Sequence, residues 1–188
     1  MNTQLSKTRI LAEGAIMIAL GTVLSLFKPI DMPMGGGVTI CAMLPLTFFS
    51  YRHGLKWGVF TAFVFSVLQL LLGMDNVQYA TSALMALGII LFDYIVAYTV
   101  IGLAGMFKGK FGKPALEIVV GTVVVMILRF LCHFLTGWVI WDALWPNEFG
   151  LAAPIYSLYY NGSYMLVEAI ITSIAGALLV RLADYGKN

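Results

Sequence analysis

Six mainly apolar stretches, at 8–27, 38–50, 56–73, 80–106, 115–141 and 154–182, occupy most of this chain and leave little between them from which to build anything else. A helix that crosses a bilayer needs roughly 20 such residues, and in lipid a helix is favoured because it satisfies its own backbone hydrogen bonds. The second stretch is short, so it is expected to tilt or to be extended by the loop before it. The fifth and sixth are long enough to tilt or to project from the membrane. Charge supports the same reading. Only 11% of the residues are charged and 61% are hydrophobic, whereas a soluble domain carries roughly 25% charged residues. A chain of 188 residues has too small an interior to hide that much apolar surface. The expected fold is an all-α integral membrane protein, a bundle of six transmembrane helices forming one domain over 1–188, with the lipid bilayer as its solvent.

The connections are short and rich in breakers. Lys28 to Gly37 holds Pro29, Pro33 and Gly35-Gly36-Gly37; Tyr51-Arg52-His53-Gly54 and Gly73-Met74-Asp75-Asn76 are turns; Lys108 to Pro114 alternates Lys and Gly; Asp142 to Pro154 mixes acids with prolines. The apolar run after Met1–Arg9 continues through Leu26 and Phe27 into Lys28-Pro29 without a small-x-small cleavage site, so it is read as a retained first helix rather than a signal peptide. With the N-terminus in the cytoplasm, Lys7, Arg9, Arg52, Lys56, Lys108, Lys110, Lys113, Arg181 and Lys187 fall inside and Lys28 alone falls outside. That bias sets the orientation. An even number of crossings then puts both termini in the cytoplasm, with Asp31, Asp75, Asp142 and Glu148 outside.

Several functions are set aside on composition and motif. A net charge of +2 without a basic stripe gives no reason to expect a nucleic-acid partner. No GxxxxGK[ST] phosphate loop occurs, so energy for uphill transport would come from a partner or an ion gradient. His53 and His133 are far apart and no HExxH is present, so no metal site is expected. No nucleophile–base constellation marks a catalytic residue. Cys41 and Cys132 lie in apolar stretches without a CxxC pair and are read as inert thiols. Asn161-Gly162-Ser163 matches a glycosylation sequon but falls at a span, so it is discarded.

Polar groups inside spans are costly and mark function by default. The fourth stretch carries Asp93-Tyr94. In the fifth, Arg129, His133, Gly137 and Trp141 recur every four residues and lie along one helix face. In the sixth, Tyr156, Tyr160 and Tyr164 share a face, with Asn161 beside it and Glu168 beyond. Together they supply a carboxylate, an imidazole, an amide and several rings to a pocket open to the outside. Such a set suits a flat, polar-edged, cationic ligand, because aromatic faces attract cations and a carboxylate pairs with a heterocycle edge. Structural readings stand beside this one. Trp138, Trp141 and Trp145 are also what an interfacial aromatic belt would contain. Arg129 would also serve packing by pairing with Asp93 or Glu117, and Asn161 would also bond between helices. Glu117, near a helix start, is read as a solvated or dipole-compensating acid.

At these residues the chain resembles the thiamine-specific S component of energy-coupling factor (ECF) vitamin transporters. The resemblance runs over essentially the whole chain and rests on an ordered set of segments. These are Leu11-Ala12-Glu13-Gly14-Ala15 through Ala19, Leu70-Leu71-Leu72-Gly73, Asp93-Tyr94, Arg129-Phe130-Leu131-Cys132-His133-Phe134 with Gly137 and Trp141, and Tyr156-Ser157-Leu158-Tyr159-Tyr160-Asn161-Gly162. It implies a six-helix fold with an outward-facing thiamine site in a bacterial plasma membrane. His133, Trp141, Tyr156 and Asn161 match family binding positions, Asp93 and Tyr94 stand where the family has Glu-Tyr, and Phe65 and Tyr79 are weaker candidates for its further aromatic contacts. Two departures accompany the match: Asp is one methylene shorter than Glu, and Met32 to Gly37 carries no aromatic residue, although the family's loop there helps close over the ligand. The resemblance also implies that Ala15 and Ala19, at small-xxx-small spacing, dock on a shared ECF transmembrane coupling protein that works with two ATPase subunits. Thiamine would be the transported substrate, with no cofactor. The competing readings are an S component for another vitamin, a self-sufficient proton-coupled vitamin carrier in which Asp93, His133 or Glu168 titrates, and a membrane-embedded enzyme or structural protein.

Overall fold

A computed structural model describes residues 6–32 and 35–185. Among these, α1 (Lys7–Leu26) starts at Ser6, whose hydroxyl caps it by accepting from the Arg9 N–H at 3.3 Å. It touches the rest of the molecule lightly: only Gly14 and Gly21 are buried, while Leu11, Ile16, Leu20 and Val23 lie exposed. Helix formation stops before Pro29, and the chain makes a two-residue antiparallel ladder. Here β1 (Ile30–Asp31) pairs with β2 (Gly37–Val38), Ile30 opposite Val38 and Asp31 opposite Gly37.

The second expected span, 38–50, is corrected. Gly37-Val38 is extended in that ladder and Cys41 takes a left-handed φ of +54°, so no helix forms until α2 (Leu44–His53). Ten helical residues rise only about 15 Å, half the hydrocarbon thickness of a bilayer. Pro45, Leu46, Thr47, Phe49, Ser50 and Tyr51 are all buried, so α2 is packed among the other helices, and the residues that extend it on the Gly37 side are not helical.

Among the described residues five helices are long and apolar enough to cross a membrane: α1, α3 (Leu55–Leu72), α4 (Ala83–Phe107), α5 (Pro114–Leu144) and α6 (Ala153–Tyr185, apolar through Ala183). Their bounds fall within a few residues of the sequence expectation. A tight six-residue 3₁₀ segment, Met74–Tyr79, joins α3 to α4. Two of the long helices are irregular inside. In α4, Ile89–Ile95 widens into a π-helical stretch and Val100–Phe107 tightens to 3₁₀; in α5, Gly137–Trp141 is again π-helical. Apolar periodicity carries no sign of these changes, and wide turns of this kind occur mostly at functional sites.

The centre of the bundle is a cluster of Ala42, Met43, Leu46, Phe65, Ile101, Ala104, Val125 and Met126. One half of a sequence reading fails: Glu117 stands in the first turn of α5, as a dipole-compensating acid would, but not in water. It is 3% exposed and accepts from the Tyr51 hydroxyl at 2.9 Å and from the backbone N–H groups of Gly109, Phe111 and Gly112 at 2.8–3.0 Å. It ties down the α4–α5 turn. A buried carboxylate is stable there because four donors replace its water.

Candidate functional site

At the end of the bundle where α1, α3 and α5 finish and α6 begins, the elements splay around a cavity of about 300 Å³. Its walls are Ser25 and Leu26 of α1, Gly35–Gly37 and Thr39, Gln69 and Leu72 of α3, Asp93, Tyr94 and Tyr98 of α4, the inward face of α5 from Arg129 to Trp145, and Tyr156 to Glu168 of α6.

Asp93 organises one wall. It sits on the wide turn of α4, buried at 8% exposure, and receives three side chains of α5. His133 Nδ1 lies 3.1 Å from Oδ1, the Thr136 hydroxyl donates to the same oxygen, and Trp141 Nε1–H donates to Oδ2 at 2.8 Å. An ionised carboxylate offers about four lone-pair sites, so three donors leave one free. The indole bond also orients Trp141, whose ring stacks on Trp145 with centroids 5.7 Å apart and planes at 11°. Trp141 reaches Asp93 from the π-helical turn of α5. With the Nδ1 proton facing the carboxylate, Nε2 of His133 keeps its lone pair, and among the described residues it has no hydrogen-bond partner.

The facing wall comes from α6. Tyr156, Ser157, Tyr160, Asn161 and Tyr164 all line the cavity, as their shared helical face predicts. Asn161 binds both helices: its amide N–H donates to the carbonyls of His133 (3.2 Å) and Ser157 (3.1 Å), and its carbonyl accepts from the Tyr164 hydroxyl at 3.0 Å. Gly137 makes that contact possible. A Cβ there would lie 2.4 Å from Ser157 Oγ and 2.9 Å from Asn161 Nδ2. The Tyr160 hydroxyl accepts from the Gly36 N–H at 3.2 Å, closing the wall near the β1–β2 ladder. Pro33 and Met34 of the Met32–Gly37 loop, like Lys187 in the orientation argument, lie outside the described residues.

Tyr94 lines the cavity but works mainly on its neighbours. Its hydroxyl donates to the Gly73 carbonyl (2.9 Å) and accepts from the Asn76 amide (2.7 Å), fixing the turn that follows α3. A Cβ on Gly73 would meet the Tyr94 oxygen at 2.2 Å, which is why the Leu70-Leu71-Leu72 run ends in glycine.

Two of the sequence candidates are not in the wall. Phe65 is fully buried in the central cluster, edge-on to Tyr98 at 5.6 Å, because its helix face points at α4 rather than at the cavity. Tyr79 is 52% exposed and touches the site only through the edge of Trp145, 4.8 Å away. Ala15 and Ala19 are exposed on α1, away from the cavity. Arg129 pairs with neither Asp93 nor Glu117: its Nη1 lies 3.3 Å from Glu168 Oε2, and its Nη2 lies 3.3 Å from the Tyr98 hydroxyl.

Sequence reasoning missed Trp145, Tyr98, Thr136 and Ser157 as wall residues. The i+4 spacing from Trp141 to Trp145 was a usable signal. Thr136, seven residues after Arg129, and Ser157, four before Asn161, lie on the inward faces by regular helical spacing, so periodicity was a usable signal there too.

With this geometry in view, known proteins supply the comparison. The thiamine transporter protein (Thia_YuaJ) family model matches residues 11–186. The chain belongs to that family. It is 32% identical over 184 residues to the thiamine transporter ThiT of Bacillus subtilis (strain 168), covering 92% of this chain and 91% of the relative. It is 28% identical over 155 residues to the ThiT of Lacticaseibacillus paracasei, covering 75% and 72% respectively. A solved structure of ThiT from Listeria monocytogenes superposes with a TM-score of 0.77 over 95% of this chain and 97% of that one, at 21% identity. That last similarity establishes a shared fold. Family, fold and apolar helices together make this a multi-pass membrane protein of a transporter family.

Proposed function

We propose that this chain is the substrate-binding S component of an ECF-type transporter, and that it captures thiamine outside a bacterial cell for uptake driven by ATP hydrolysis on partner subunits. Those partners are a transmembrane coupling protein and two ATPases; the chain itself contains no phosphate-loop motif. One observation supports the reading most: a buried carboxylate with one free acceptor site beside stacked indoles. Thiamine combines a cationic ring with an aminopyrimidine. The Trp141 and Trp145 faces attract the cation by roughly 0.5–2 kcal/mol. Asp93 offsets its charge and accepts from the amino edge, and His133, Tyr156 and Asn161 complete the polar contacts.

Six crossings fit this reading, with α2 and the extended stretch before it together making the second. Both termini are then cytoplasmic. The cavity opens outward, at the end where Lys28 is the one basic loop residue among those that set the orientation.

The test is direct. Purified protein titrated with thiamine should show saturable quenching of tryptophan fluorescence, because Trp141 and Trp145 line the cavity, and calorimetry should show matching binding. No quenching together with no heat rejects thiamine as the ligand. Uptake into liposomes by the chain alone would reject the ECF reading in favour of a self-sufficient carrier.

A further inference from the structure

Glu168 pairs with Arg129 but is assigned no contact with the ligand above, and it is 1% exposed, deep in α6. Its two oxygens do different things. Oε2 neutralises Arg129. Oε1 accepts from the hydroxyl of Thr39, and Thr39 Oγ1 in turn accepts from the Ala42 N–H at 3.2 Å. Neutralising a buried arginine requires only the first of these. The second reaches across to the irregular segment that follows β2, where Cys41 holds its left-handed turn. That segment is already fixed once to α6, where Gly36 donates to Tyr160. Glu168 lies eight residues further along the helix, about 12 Å away. Two attachments at that separation hold Gly36–Ala42 as a wall of the cavity. At the other end of the network, the Arg129 guanidinium carbon lies 4.7 Å from the Tyr98 ring centre, and that ring is edge-on to His133 at 6.5 Å.

We propose that Glu168 is a positioning residue for ligand capture: through Thr39 it holds the Gly36–Ala42 segment against the cavity, while the same carboxylate holds Arg129 one helical turn below His133. The consequence for ligand retention rests on the thiamine reading; the consequence for the segment does not.

Replacing Glu168 itself would leave the Arg129 charge buried and uncompensated, so the informative variant is Thr39→Val, which removes the hydroxyl, keeps the volume and leaves the ion pair. Hydrogen exchange on the full chain in lipid nanodiscs, without thiamine, should show amides of Gly36–Ala42, apart from Ala42 itself, whose N–H loses its own acceptor in this variant, exchanging roughly tenfold faster, as expected for a lost buried hydrogen bond. The α5 and α6 amides should stay as in the parent, and Thr39→Ser should restore protection. With thiamine bound, release should quicken roughly tenfold while association changes by less than about twofold, since interface changes act mostly on dissociation. Parent-like exchange of Gly36–Cys41 in Thr39→Val overturns the proposal. So does faster exchange spread evenly through α5 and α6 with a lowered melting temperature, which is the signature of general packing. A parent protein that binds no thiamine overturns the thiamine reading instead, and the exchange measurement still decides the role of Glu168.

Discussion

The Asp93 carboxylate gathers His133, Thr136 and Trp141 of α5, and these neighbours set what a substitution there does. In Asp93→Asn the remaining carbonyl oxygen still accepts from Trp141, so the indole stays near its place, but the negative charge is gone. A charge-assisted contact is worth roughly 1.5–3 kcal/mol, so thiamine affinity measured by calorimetry should fall about tenfold or more. Asp93→Glu keeps the charge and should lose less. At this scale the sequence was informative wherever a polar residue stood in an apolar run: Asp93, His133, Asn161 and Glu168 were all visible for that reason. Their bonding partners were not. Arg129 was given two partners on paper, Asp93 and Glu117, and it takes neither: the crossing of α5 and α6 sets it against Glu168. Phe65 shows the converse limit, since an aromatic in a span looks the same whether it faces a ligand or the core.

Between elements, close approach decides the geometry. Gly137 lets α5 lie against Ser157 and Asn161 of α6. Gly137→Ala puts a methyl into that contact, and overpacking of this kind costs roughly 1–3 kcal/mol. Thermal unfolding in detergent should show the loss, and thiamine affinity should fall with it, because Asn161 would be displaced. Glu117 gives the opposite pattern. Glu117→Ala strips the acceptor from three backbone N–H groups in the α4–α5 turn at the end of α5 remote from the cavity. Exchange of amides 109–112 should rise sharply, with thiamine affinity within about threefold of the parent. The long helices were legible because their length and apolarity are local properties. The helical bounds of α2 were misread because the extended residues before it are as apolar as the helix itself. The wide turns were invisible, since one residue more or less per turn leaves composition unchanged.

At the scale of the whole molecule, α1 is tied to the bundle along one flank, where Glu13 pairs with Arg52 and His53 and Ile18 and Leu24 pack on the core, and it leaves the other flank open. α1 buries two glycines and leaves Ala15 and Ala19 exposed. If that flank docks on the coupling protein, Ala15→Trp or Ala19→Trp should leave thiamine affinity of the isolated chain unchanged and abolish uptake in cells that contain the partner subunits. A joint loss of affinity and uptake would instead mean that these positions pack against the bundle. Measuring both quantities on one variant separates the two, and the exposure of both alanines favours the split.

The wide turn at Ile89–Ile95 accommodates one residue beyond the regular helical count. Asp93 rides on it, while Ile101 and Ala104 in the same helix are locked in the core. Excising one residue, Leu91 for example, would restore the regular count and turn the two halves of α4 by about 100° relative to each other. Either the carboxylate or the core side chains would then face the wrong way. The one extra residue in that turn therefore keeps the carboxylate and the core side chains in register with each other.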